Sequence, residues 1–118
     1  MSDGWVGVDL DGTLAKDNGR YIGAPVPLMV ARVRAMLEAG TNVKIFTARV
    51  SDPDRRTRAR VVESIEAWCL EHIGRKLPVT NEKDFGMIKL YDDRCVQVEH
   101  NTGRLLGYDD PITTGIIL

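Results

Sequence analysis

Two aspartates one residue apart, Asp9 and Asp11, directly follow a short apolar run near the start of the chain. Residues 5–8 have the character of a buried strand, and Gly12 permits the tight turn that a residue with a Cβ would resist. Because ligands bind at the carboxyl ends of strands in an open parallel sheet, we expect both carboxylates to face a crevice. Such a pair can hold a divalent cation, and one member can attack phosphorus while the other transfers protons. Considered alone, the two acids would fit a solvated turn equally well.

Three further segments carry polar groups that could reach the same edge of a sheet. One predicted strand ends in Thr47, whose hydroxyl and following backbone amides suit phosphate oxygens. Another runs into Asp92 and Asp93, which add carboxylates, and Lys83 lies in the loop just before that strand. Each of these residues has an ordinary structural explanation. Together they supply the groups that phosphoryl transfer needs.

The elements that would position these residues alternate between strands and helices. Met29, Val33 and Met36 have helical spacing, and Asp52 and Pro53 are typical of a helix start. The elements predicted after the first strand are a loop or small flap at 15–24, a helix between Pro27 and Gly40, a strand at 42–47, a helix between Asp52 and Gly74, a short strand at 79–80, a strand at 87–91 and a β-hairpin formed by 95–99 and 104–106. This alternation predicts an α/β fold, a Rossmann-like three-layer sandwich with a mostly parallel central sheet and a C-terminal β-hairpin.

The composition limits the classes of function that need to be considered. A chain of 118 residues fits one domain, and 43% hydrophobic with 28% charged residues is ordinary for a globular protein. The net charge of -1 argues against a protein that binds nucleic acid mainly through electrostatic attraction. Cys69 and Cys95 are too few for a disulfide framework. With a polar N-terminus and no long apolar run, we expect no signal peptide, no membrane partner and a cytoplasmic location.

The ordered motifs resemble those of the haloacid dehalogenase (HAD) superfamily of phosphohydrolases. Its motifs are D-x-D-G-T, a strand-terminal Ser or Thr, a Lys and a pair of Asp residues. They occur here in the same order, as Asp9-Leu10-Asp11-Gly12-Thr13, Thr47, Lys83 and Asp92-Asp93. The resemblance extends from residue 5 to about residue 99. It implies a single HAD-like hydrolase domain over residues 1–118, of the small type that lacks a cap domain.

The resemblance also implies a mechanism and a cofactor. Asp9 would be the nucleophile that forms an aspartyl-phosphate, and Asp11 would be the general acid and then the general base. Thr47 and Lys83 would bind the phosphate. The expected metal is Mg²⁺, and by the family pattern its ligands are the Asp9 side chain, the Asp11 backbone carbonyl, the Asp92 side chain and, directly or through water, Asp93.

The lysine is the residue for which the sequence offers two candidates. Lys89 is the alternative to Lys83, but it lies inside the strand predicted at 87–91 and three residues before Asp92. Because side chains alternate along a strand, Lys89 should point away from the face that Asp92 uses. Lys83 is therefore preferred.

Several functions remain open at this stage. Without a cap the site should be open, so residues 15–24, the substrate itself or a partner subunit would have to exclude water. The leading hypothesis is a phosphatase that acts on a small phosphorylated substrate such as a nucleotide or sugar phosphate. One alternative is a phosphatase that processes polynucleotide ends, although the basic run at 55–60 has balancing acids nearby and nucleic acid is the less favoured partner. Another alternative is a noncatalytic phosphate-binding module. Arg20, Arg49 and Arg55 could meet a second anionic group near the site.

Overall fold

Strands and helices alternate along the part of the chain that the structure, a computed structural model, describes: residues 4–109 and residue 112. In chain order the elements are β1 (Trp5–Asp9), β2 (Ala15–Asp17), β3 (Ile22–Pro25), α1 (Pro27–Glu38), β4 (Val43–Phe46), a 3₁₀ turn (Ala48–Ser51), α2 (Arg55–His72), β5 (Val79–Thr80), β6 (Met87–Tyr91), β7 (Gln97–Val98) and β8 (Leu105–Leu106). Neither described helix is long and apolar enough to cross a membrane.

The four-stranded sheet has the order β5-β4-β1-β6, and each neighbouring pair of strands is parallel. From β1 the chain moves through α1 to β4 and through α2 to β5, and then returns to the other side of β1 as β6. The strand order therefore reverses next to β1, and crevices form at such reversals, at the carboxyl ends of the strands. The predicted α/β fold with a mostly parallel sheet is confirmed.

The hydrophobic core lies on one face of this sheet, between the strands and both helices. Alternate residues of β1 and β4 point to that face, as the two-residue period of a strand requires. The core residues contributed by these four elements are Val6, Val8, Val43 and Ile45 from the strands, Val30 and Val33 from α1, and Ile65, Trp68 and Cys69 from α2. Since α1 and α2 share this face, neither forms the helical layer that a three-layer sandwich would have on the other face.

On the opposite face of the sheet, Trp5 is buried. Its ring stacks on Phe46 with 6.5 Å between the centroids, and the Lys44 ammonium lies 4.6 Å from its centroid. The Trp5 indole N–H donates to Asp84 at 2.8 Å. The segment between β5 and β6 is thereby tied to the sheet.

The start of α2 differs from the prediction. The helix begins at Arg55 with Asp54 as its N-cap, not at Asp52 and Pro53. The Asp54 carboxylate accepts a hydrogen bond from the Thr57 backbone N–H, as a capping residue should. Asp52 instead accepts from the Asp54 N–H and shapes the turn before the helix. The predicted end at Gly74 is correct, since α2 ends at His72 and Gly74 has a φ of 104°.

The predicted flap contains an antiparallel β-hairpin, made of β2 and β3, and we call residues 15–25 the flap. The two strands approach closely at Gly23, where an added Cβ would clash with the Lys16 carbonyl oxygen. The indole N–H of Trp68 on α2 donates to the Gly23 carbonyl at 3.0 Å and ties β3 of the flap to the helix. The predicted C-terminal hairpin is confirmed as β7 and β8, with Asn101 at a φ of 65° in its turn.

Candidate active site

Three carboxylates meet at the carboxyl ends of β1 and β6. Asp9 is the last residue of β1, and Asp92 and Asp93 directly follow β6. These strands are parallel neighbours, with Val8 opposite Tyr91, so their ends are adjacent. One oxygen from each of the three carboxylates lies within 4.8 Å of the others. The structure thus brings together three of the residues that the sequence assigned to one site.

Gly12 and Thr13 hold Asp93 in this cluster. The Thr13 hydroxyl lies 3.0 Å from Asp93 Oδ1 and 3.3 Å from Asp9 Oδ2, and it accepts a hydrogen bond from the Asp93 backbone N–H at 3.1 Å. Gly12 has a φ of 87°, and an added Cβ would lie 2.7 Å from Asp93 Oδ2. Only glycine fits both the backbone conformation and the space.

The environment of the cluster raises the pKa of one of its carboxyl groups, Asp9. Burial and the neighbouring Asp92 carboxylate raise the pKa of Asp9 to about 7, and a hydrogen bond with Asp93 adds to the effect. Desolvation opposes ionisation of Asp93 as well, but hydrogen bonds from Thr13 and Asp9 outweigh it and lower the pKa of Asp93. Three hard oxygen donors that repel one another match the ligand preference of Mg²⁺, whose charge would offset the repulsion.

Thr47 follows β4 at the same edge of the sheet. Its side chain is buried, its Oγ accepts from the Arg49 N–H at 3.2 Å, and its own N–H donates to the Thr80 carbonyl. A cavity of about 330 Å³ joins this residue to the carboxylates, within the size range of small-ligand sites. The cavity is lined by Asp9, Asp11, Phe46, Thr47, Ala48, Arg49, Asp92 and Arg94.

Asp11 lines this cavity, but its carboxylate is paired with Arg49 and is not part of the cluster. Arg49 Nε and Nη2 donate to the two Asp11 oxygens at 2.6 and 2.8 Å. The same guanidinium donates to the carbonyls of Arg20 and Tyr21 in the flap, at 3.0 and 3.2 Å. The hydrogen bond with Asp11 raises the pKa of Arg49 above its ordinary value. The side chain of Asp11 is thus oriented by a residue that also contacts the flap.

Neither candidate lysine lines the cavity that contains Asp9. Lys83 is exposed in the segment before β6, and its charge partly opposes the desolvation and the Asp92 charge that together raise the pKa of the Cys95 thiol. Lys89 is exposed on β6 and lines a separate cavity of about 590 Å³ that Asp92 and Cys95 share. The choice of Lys83 stays a prediction.

Sequence reasoning missed some contributions of residues beside the motifs. Arg94 lines the carboxylate cavity, and its backbone N–H donates to Asp92 at 2.8 Å. Its position directly after the paired aspartates was the available signal. The sequence identifies Thr13 as part of a motif, but its contact with Asp93 joins residues 80 positions apart and has no local sequence signature. The bidentate pair of Arg49 with Asp11 is likewise a contact between distant segments.

Comparison with known proteins supports the fold. No protein-family model matches the chain, and no curated protein matches it. A solved structure of a conserved protein from Bacteroides thetaiotaomicron is similar, with a TM-score of 0.57 and 19% sequence identity. The match covers 77% of this chain and 76% of that one. At this identity the likeness shows a shared Rossmann-like α/β fold.

Proposed function

We propose that this protein is a magnesium-dependent phosphatase that hydrolyses a phosphomonoester through an aspartyl-phosphate on Asp9. This is the activity that the resemblance of its motifs to the HAD superfamily implies. The observation that carries the proposal is the convergence of the Asp9, Asp92 and Asp93 carboxylates within 4.8 Å. Thr47, a hydroxyl donor suited to phosphate oxygens, lines the same cavity as Asp9 and Asp92.

The chemistry of the donors fits the proposed metal. The Asp9, Asp92 and Asp93 side chains would hold Mg²⁺, and the family pattern adds the Asp11 backbone carbonyl. When bound, the ion neutralises charge among the carboxylates and on the phosphate. Without such a charge, an anionic substrate would be repelled by the cluster that raises the pKa of Asp9.

The proposed reaction consists of two successive displacements at phosphorus. In the first, an Asp9 oxygen bonds to phosphorus, the bond from phosphorus to the leaving oxygen breaks, and Asp11 gives that oxygen a proton. In the second, water attacks phosphorus, Asp11 takes a proton from the water, and the Asp9–phosphorus bond breaks to release phosphate. Thr47 and neighbouring backbone N–H groups bind the nonbridging oxygens as charge develops on them. Lys83 would bind the phosphate once its ammonium group reaches the cavity that contains Asp9.

The proposed substrate is a small phosphorylated compound, such as a nucleotide or sugar phosphate. The carboxylate cavity is large enough for a phosphate and part of its leaving group. A polynucleotide end is the alternative, and comparison of a mononucleotide with an oligonucleotide carrying the same terminal phosphate separates the two. A steep loss of binding with added salt would favour the oligonucleotide.

The test is Asp9→Asn with 4-nitrophenyl phosphate as substrate. We expect the wild-type protein to hydrolyse it only with Mg²⁺, and the variant to lose about 10³-fold or more of kcat, as when a nucleophile is removed. Asp52→Asn is the matched control, because Asp52 lies in the turn before α2 and outside the cavity. Full activity in Asp9→Asn would contradict the nucleophile assignment. A wild-type protein that binds phosphate with Mg²⁺ but has no turnover would instead indicate a noncatalytic module.

A further inference from the structure

We propose that Arg49 is a positioning residue that fastens the tip of the flap beside the site and holds the Asp11 carboxylate in one orientation. This inference rests on the proposed phosphatase function and extends it to a residue outside the motifs. Through the contact of Arg49 with the flap, the position of the flap would affect catalysis. The flap tip is the turn at 18–21, between β2 and β3.

Four hydrogen bonds from one guanidinium carry the inference. Two go to the Asp11 carboxylate in a bidentate arrangement, which fixes the plane of the carboxylate as well as its position. The other two go to the carbonyls of Arg20 and Tyr21. The Asp11 and Arg49 side chains are only 25% and 24% exposed, so water competes less for this pair than for a surface ion pair.

These four hydrogen bonds also argue against phosphate binding as the main role of Arg49, because they use its donors. The four bonds occupy most of the N–H donors of the guanidinium. A phosphate could take those donors only by displacing Asp11 or the flap carbonyls. Arg49 also lines a second cavity of about 190 Å³ beside the flap, so it forms a wall between that space and the carboxylate cavity.

The tip of the flap has few other attachments to the site. Asp17 and Asn18 use their side chains to accept hydrogen bonds from Gly19 and Arg20, within the turn itself. Trp68 on α2 holds β3 at Gly23, and Ile22 packs against the core, so β3 is attached outside the turn at 18–21. Among the hydrogen bonds of the described residues, those from Arg49 are therefore the ones that tie the tip to the site. Lifting the tip removes two of the four acceptors that hold the Arg49 side chain in place.

Dependence on the leaving group tests the effect on Asp11. A nitrophenolate leaves without protonation, whereas an alkoxide needs the proton that Asp11 supplies. For Arg49→Gln we therefore expect kcat to fall about 10²-fold or more on an alkyl phosphate and by less than about 10-fold on 4-nitrophenyl phosphate. Arg49→Lys should behave like Arg49→Gln, because an ammonium cannot make the bidentate pair. Arg75→Gln is the control, because Arg75 is exposed after α2 and lines neither of the cavities that Arg49 lines.

A double variant separates positioning of Asp11 from other effects. If Arg49 acts through Asp11, Arg49→Gln should cost little in the background of Asp11→Asn, because the two residues work as a unit. Equal losses on the two substrates would overturn the inference. So would full rescue by Arg49→Lys, or a higher KM with unchanged kcat, which would indicate phosphate binding.

Hydrogen–deuterium exchange measures the flap without relying on activity. We expect Arg49→Gln to raise amide exchange in peptides that cover residues 15–25 and to leave the peptides of β4 unchanged. Unchanged exchange in the flap would overturn the fastening role, even if the wild-type protein proved inactive. Absence of turnover in the wild-type protein would contradict the proposed function, and the exchange result would then stand by itself.

Discussion

At the scale of single residues, Gly12 and Thr13 matter to the site through their effect on Asp93. Thr13 offers its hydroxyl to the Asp93 carboxylate and accepts the Asp93 backbone N–H. Gly12 leaves the space that the same carboxylate occupies. The glycine and threonine of the D-x-D-G-T motif therefore position Asp93, which is 80 residues after Thr13 in the chain. This gives a physical reason for the two motifs to occur together.

Gly12→Ala should weaken metal binding beyond its effect on stability. The added Cβ meets Asp93 Oδ2 at 2.7 Å, so the carboxylate must move out of the cluster. We expect Mg²⁺ affinity, measured by titration calorimetry, to fall at least ~10-fold, as when a group that orients a ligand is lost. Gly40→Ala is the control, because Gly40 has a φ of 85° with no atom near its Cβ position. Both variants should lose about 1–2 kcal/mol of stability. Equal metal affinity in the two variants would refute this role of Gly12.

At the scale of elements, the sequence predicted which segments are helices and strands better than it predicted how they begin and attach. Helix α1 has a proline in its first turn and Gly40 after its last, two local signals that agree. The sequence assigned the cap of α2 to Asp52, whereas the cap is Asp54, the same residue type two positions later. The flap strands are too short to show a period, and their attachment to Trp68 joins residues 45 positions apart. Such tertiary contacts have no signature in a single sequence.

Trp68→Phe should loosen the flap specifically. The substitution leaves the Gly23 carbonyl without its hydrogen bond from α2. We expect about 1–3 kcal/mol lower unfolding free energy in chemical denaturation and faster amide exchange in residues 15–25. Trp5→Phe is the matched control, because its lost hydrogen bond, to Asp84, lies on the other face of the sheet. Equal exchange in the flap of both variants would show that Trp68 does not anchor it.

At the scale of the whole molecule, parallel topology explains which part of the site could be predicted. Parallel neighbours place their carboxyl ends at one edge, so the meeting of Asp9 with Asp92 follows from strand order alone. The direction of Asp11 depends instead on Arg49 and the flap, and the position of Lys83 depends on an irregular segment before β6. Strand ends are fixed by the sheet, whereas side chains in loops are fixed by contacts that the sequence does not reveal.

Because the proposed Mg²⁺ site includes Asp9, we expect the thermal stability of the protein to depend on Mg²⁺ and pH together. Because folding raises the pKa of Asp9 from 3.8 to about 7, the metal-free protein should lose stability as pH rises through that interval. Mg²⁺ offsets the repulsion and must displace fewer protons at higher pH. We therefore expect the increase in Tm caused by Mg²⁺ to be larger at about pH 8 than at about pH 6. Asp9→Asn should abolish this difference in thermal unfolding experiments. An equal Mg²⁺ effect at both pH values would contradict the prediction.

The two cysteines differ in their exposure to solvent, so that a label would attach to only one of them. Cys69 is fully buried in the core, and burial raises the pKa of its thiol to about 11, so alkylating reagents have no access to a reactive thiolate there. Desolvation and the Asp92 charge also raise the pKa of the Cys95 thiol, but Cys95 is exposed to reagents and lines a cavity together with Asp92. A fluorophore or spin label coupled to the unaltered chain would therefore attach beside the carboxylates, where a paramagnetic ion such as Mn²⁺ would quench or broaden its signal.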